Sequence, residues 1–150
     1  MPPQPLFAWL RPDAALRAAL NRVMVAEARP IALGVGLFNA LLGLAPLFLD
    51  PGGRTQQVVV DVGVGLALVA LALALPRLPA RLAAAPAFII VGLIQFAALH
   101  QLWFTREIDQ TALVMIVVIG GGALILAPLW LAGFFALSWG GWLAVVTASG

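Results

Sequence analysis

From Pro30 onward the chain is a succession of apolar stretches, five in all, each about as long as the hydrocarbon core of a bilayer is thick. Such a chain has few places to put its backbone. Hydrocarbon offers no hydrogen-bond partner, so each stretch must satisfy its own N–H and C=O groups, which means helices. Charged residues make up 9% of the sequence and hydrophobic ones 63%, whereas a soluble domain carries about 25% charged residues. A hydrated globule is therefore excluded, and so is disorder, which needs low hydrophobicity.

The stretches are Ile31–Leu49, Gln57–Leu75, Pro86–Phe104, Thr111–Ala127 and Pro128–Ala148. Asp50-Pro51-Gly52-Gly53 separates the first two and has the composition of a turn. Pro76-Arg77 closes the second, and a short loop with Arg77 and Arg81 fills residues 76–85. A polar segment, Thr105–Gln110, follows the third. The last two stretches form a nearly continuous apolar run, too long for one span, and Ala127-Pro128 places the turn. A helix broken at Gly120-Gly121-Gly122 is the rival arrangement.

Residues 1–30 precede the bundle. The proline-rich opening, 1–12, does not support a continuous helix, and its Phe7 and Trp9 suit the headgroup level. Asp13 offers an N-cap to a helix over 14–29. Leu16, Leu20 and Val23 line one face of that helix, and Arg17, Asn21 and Arg22 lie largely elsewhere. It reads as an amphipathic helix lying in the membrane interface, or equally as one packed on the rest of the protein. The expectation is an all-α, polytopic integral membrane bundle of about five transmembrane helices, 31–150, with an N-terminal amphipathic helix.

All eight basic residues are arginines. With the N-terminus in the cytoplasm, Arg11, Arg17, Arg22, Arg29, Arg77 and Arg81 fall inside, and only Arg54 and Arg106 fall outside. That asymmetry predicts a multi-pass inner-membrane protein with a cytoplasmic N-terminus. The arginines flank spans instead of forming a patch, so nucleic acid is not an expected partner. The expected partners are the bilayer and other membrane chains or a second copy of this one.

Few residues can carry chemistry. There is no cysteine, so thiolate metal sites and thiol nucleophiles are absent. Asp61, about one turn into the second span, reads as a residue reaching headgroup water or pairing with Arg54, with a proton or cation site as the alternative. His100 is the single histidine and lies near the end of the third span. With Glu107 and Asp109 in the next loop it offers ion binding or pH sensing, against the plainer reading of an interfacial histidine bonded to a loop group. Asn39 and Gln95 sit deepest and suit interhelical hydrogen bonds. Gly34, Gly36, Gly43, Gly63, Ala67 and Gly120–Gly122 supply small faces for close helix packing. Ser138 and Ser149 have no base at a useful spacing, and the glycine run has no lysine after it, so neither hydrolase nor phosphate-loop chemistry is expected. No cofactor is called for.

Several short stretches recur in one kind of protein: Arg29-Pro30 opening the first span, Leu37-Phe38-Asn39-Ala40-Leu41-Leu42, Leu99-His100-Gln101-Leu102-Trp103-Phe104-Thr105, Asp109-Gln110-Thr111, and Gly120-Gly121-Gly122 with Ala-Leu-Ile-Leu before a tryptophan. Over about residues 29–145 the chain resembles the N-terminal multi-pass membrane region of bacterial signalling proteins whose cytoplasmic part is a histidine kinase or a GGDEF-type diguanylate cyclase. The resemblance implies a non-enzymatic sensory or anchoring module. Its candidate input surface is Asp61, His100, Arg106, Glu107 and Asp109. The chain departs from that pattern in having an odd number of spans and no output domain. A small accessory subunit of a larger membrane complex is the alternative. A transporter ranks behind both, because intramembrane charge is scarce and no paired halves are visible.

Overall fold

The computed structural model describes residues 13–49, 55–79, 82, 84–105, 110–125 and 128–149. Among these residues there are five α-helices and no strand: α1 (Ala14–Leu49), α2 (Thr55–Ala74), α3 (Ala84–Thr105), α4 (Gln110–Leu124) and α5 (Pro128–Ser149). The protein is an all-α helical bundle. Four of the helices, all but α4, are long and apolar enough to cross a membrane. At 1.5 Å per residue, the 15 residues of α4 span about 22 Å, short of a hydrocarbon core of about 30 Å.

Asp13 caps α1 as its side chain suggests: Asp13 Oδ1 accepts the Leu16 N–H at 2.7 Å, and its carbonyl accepts the Arg17 N–H at 3.0 Å. The chain then does not turn at Arg29-Pro30. α1 runs unbroken through Pro30 and Pro46 for 36 residues, about 54 Å. Each proline removes one backbone bond, and membrane helices accommodate such losses through neighbouring helices. Here the continuity has a packing reason. Met24, Ala28 and Ala32 form one buried stripe across the proline, so both sides of Pro30 are held by the same contact surface. Leu16 and Val23, the face that the sequence marks as apolar, remain about half exposed.

α1 and α2 are antiparallel and very close. Any β-carbon added at Gly65 would lie 2.6 Å from the Ala40 nitrogen and from the Gly36 carbonyl oxygen. One at Gly43 would lie 2.9 Å from the Asp61 β-carbon. Glycines 36, 43 and 65 therefore let two backbones touch, which is how helices pack where there is no hydrophobic drive between them. Gly34 and Gly63, equally plausible from the sequence, face open space.

α2 ends in a 3-10 turn, Leu75–Arg77, closed by Leu78 N–H donating to the Leu75 carbonyl at 3.1 Å. α3 returns and its Ala87, Ile90 and Val91 join Leu68, Ala72 and Leu75 of α2, Ala28 and Ala32 of α1, and Phe134 of α5 in the main core. The three glycines 120–122 lie inside α4, which ends at Leu124. Gly121 is packed against Val91 and Phe134. α5 starts at Pro128, where a missing N–H costs nothing, and continues through Gly140-Gly141, with Leu99 of α3 set 2.7 Å from the space a Gly141 side chain would need. A second, smaller core joins Ala98, Leu102 and Val114.

Alternation of the helices sends Arg17, Arg22, Arg29 and Arg77 to one end of the bundle. The opposite end carries the start of α2 and the end of α3.

Candidate functional site

Polar side chains inside a bilayer-spanning bundle are the natural place to look for function, because each costs free energy unless it is paired. At the end away from the arginines, α2 contributes Gln57 and Asp61, one helical turn apart and so on one face. Gln57 is 6% exposed and lies on the same face as the half-buried Asp61. α1 closes another side, with Gly43 against the Asp61 β-carbon. Only a glycine there leaves room for the acid between the two helices.

α3 brings His100. Its imidazole lies within electrostatic range of the Asp61 carboxylate. Phe96 and Phe104, four residues before and after, flank the ring at centroid distances of 6.1 and 4.9 Å. Both ring nitrogens are shielded and have no hydrogen-bond partner among the described residues. The structure thus sets Asp61 and His100 at the same end of the bundle without an ion pair between them among the described residues. The other three members of the expected surface, Arg106, Glu107 and Asp109, lie outside the described residues, as do Asp50, Arg54, Arg11, Arg81, Phe7 and Trp9. Among the described residues no three His, Asp or Glu side chains gather as a metal site would require.

Gln57 is the polar residue that the sequence leaves unweighed. It stands at the edge of an apolar stretch, and the signal that marks it is its four-residue spacing to Asp61. Gln95 is only 4% exposed, yet neither atom of its amide is bonded among the described residues, so it does not form the interhelical bond its depth suggests. Asn39 is half-buried on α1. Ser138 is 1% exposed with its hydroxyl unpartnered among the described residues, as is the Trp142 indole nitrogen one turn on. The threonines behave differently: Thr105 Oγ1 donates to the Gln101 carbonyl at 3.1 Å and Thr147 Oγ1 to the Leu143 carbonyl at 2.8 Å, each satisfied within its own helix.

A cavity of about 200 Å³ lies between α1, α3 and α4, walled by Ile31, Val91, Ile94, Val117, Gly121 and Leu124 among others. No polar side chain lines it, so it has shape for a hydrocarbon chain and nothing to orient a polar solute. The chemistry of the bundle is therefore concentrated at Gln57, Asp61 and His100. No protein-family model, curated protein or solved structure matches the chain.

Proposed function

We propose that this membrane module is the sensory or anchoring region of a bacterial signalling protein, without enzymatic activity of its own, set in the inner membrane with its N-terminus in the cytoplasm. The observation that carries the reading is the polarity of the bundle. The half-buried Asp61 and His100 lie at one end, the acid beside Gly43, and the arginine-bearing part of α1 lies at the other. A ligand or ion bound at the first end acts by preferring one arrangement of α1, α2 and α3 over another. The continuous α1 then carries the change to the arginine-rich side. Support for the orientation comes from the arginine count, since the arginine-richer side of a membrane protein favours the cytoplasm.

The test is recovery of the native polypeptide from membranes without cross-linking, followed by mass measurement of it and its companions. Continuity or firm association with a kinase or cyclase supports the proposal. Isolation with a large membrane complex that has no signalling output refutes it in favour of an accessory subunit.

That second reading has one observation of its own. Ala132, Ala136, Gly140, Ala144 and Ala148 recur every four residues along α5, and all five are exposed. Spaced in this way they form one smooth face, of the kind that accepts another transmembrane helix.

A further inference from the structure

Thr105 and Thr147 each turn their hydroxyl back onto the carbonyl four residues earlier. Ser138 does not. It is 1% exposed, and its Oγ has no hydrogen-bond partner among the described residues. One turn on, the Trp142 indole Nε1 is covered and unpartnered in the same way. A spacing of four places both side chains on one face of α5. A donor shut away from water without a partner is costly, and hydrocarbon offers it none.

The two side chains border the same cavity. It has a volume of about 10 Å³ and lies between α4 and α5, walled by Val114, Met115 and Val118 from one and Ser138, Trp139 and Trp142 from the other. Val114 and Val118 seal the α4 side, at 1% and 9% exposed. The space is too small for an organic ligand. A single water molecule needs about 10–15 Å³ of such space and two to four polar partners. Gln95, also buried and unpartnered among the described residues, is not part of the wall.

We propose that this cavity binds one water molecule, which accepts the Trp142 indole N–H and donates to Ser138 Oγ. The serine reaches it within the staggered positions open to its side chain. The pair suits water in particular. An indole N–H only donates and a hydroxyl oxygen can accept, so the molecule between them must do both. The bridge fixes the Trp142 ring against its own helix. That ring packs on the smaller core of Ala98, Leu102 and Val114, so the water sets how α5 meets α3 and α4.

The test uses the whole protein in lipid bilayers, with labelled tryptophan, serine and glycine, and follows polarisation from water by solid-state NMR. Trp142 is the one tryptophan that follows a glycine, and Ser138 the one serine that precedes a tryptophan, so both can be assigned without a variant. Water polarisation is expected to reach both the Trp142 Nε1–H and the Ser138 β-carbon. Ser138→Ala is expected to abolish the transfer to the Trp142 indole and to leave the other four indole signals in place. Transfer that reaches only one of the two groups, or that persists to the indole in Ser138→Ala, overturns the proposal. So does an indole N–H seated on the ring of Trp139, whose centroid lies 5.8 Å away at an interplanar angle of 84°. That arrangement gives an upfield-shifted proton and no transfer from water. Should Ser138→Ala fail to fold, the unmodified protein decides alone, through transfer to both groups or its lack.

Discussion

The α1–α2 pair and the α5 helix use the same residue pattern to opposite ends. α1 carries Ala28, Ala32, Gly36 and Ala40 at every fourth position, and α5 carries Ala132, Ala136, Gly140, Ala144 and Ala148. Along α1, Ala28, Ala32 and Gly36 are buried and Ala40 touches the backbone of α2. Along α5 the stripe is exposed, and a side chain at Gly140 would meet nothing within 4 Å. The difference lies in the partner. α2 offers Gly65 in phase with Gly36 and Ala40, so the two backbones can meet. α3 presents Leu99 and Phe88 to α5, and Gly141 and Gly133, on another face of α5, make room for them. A small-residue stripe thus closes only when the facing helix is also small at the matching height. Otherwise it remains available to lipid or to another chain.

Substitutions can break this comparison at graded cost. Gly65→Val is expected to destabilise the bundle most, by about 3 kcal/mol, because its side chain would displace backbone atoms of α1. Gly63→Val, two residues away in open space, is expected to change stability by less than about 0.5 kcal/mol. Equilibrium unfolding in mixed micelles measures both, and equal effects would remove the backbone contact as the basis of the pair. Gly121→Val comes next, at about 2 kcal/mol, since Val91 and Phe134 are side chains that can shift in part. Asp13→Ala is expected to cost about 1 kcal/mol locally by freeing the Leu16 N–H. Hydrogen exchange of the first turn of α1 should quicken, with no change around Gly36. Gly140→Leu is expected to be the mildest, under about 0.5 kcal/mol for the isolated chain. It should nevertheless weaken any association made through α5, read as a loss of co-purifying partner or of dimer in native mass spectra.

How much of this is visible in the sequence follows from what each feature depends on. Apolar stretches of bilayer length are legible because their hydropathy holds in any tertiary arrangement, and the Asp13 cap is legible because it is local. The choice between Gly63 and Gly65 is not, since α2 is apolar all round and nothing in its sequence marks which side turns to α1. The proline at position 30 looks like a boundary because its local cost is clear, whereas the buried stripe that overrides it requires knowing what packs there. That Asp61 and His100 come to the same end of the bundle fails to appear for the same reason: their 39-residue separation says nothing without the α2–α3 register. From sequence each is naturally paired with charges nearby in the chain, Arg54 for one and Glu107 and Asp109 for the other.

The unbroken length of α1 has a mechanical consequence. From Gly43, where it touches Asp61, to Ala14 the helix covers 29 residue steps, about 44 Å. Met24, Ala28 and Ala32 hold the middle of that length against the bundle, so only the ten residue steps from Met24 to Ala14, about 15 Å, stand beyond the buried stripe. A tilt of about 5° at Met24 sweeps the far tip through about 1 Å by the same rise per residue. A shift beside the acid therefore reaches the arginine side through a clamped rod, with its size little changed.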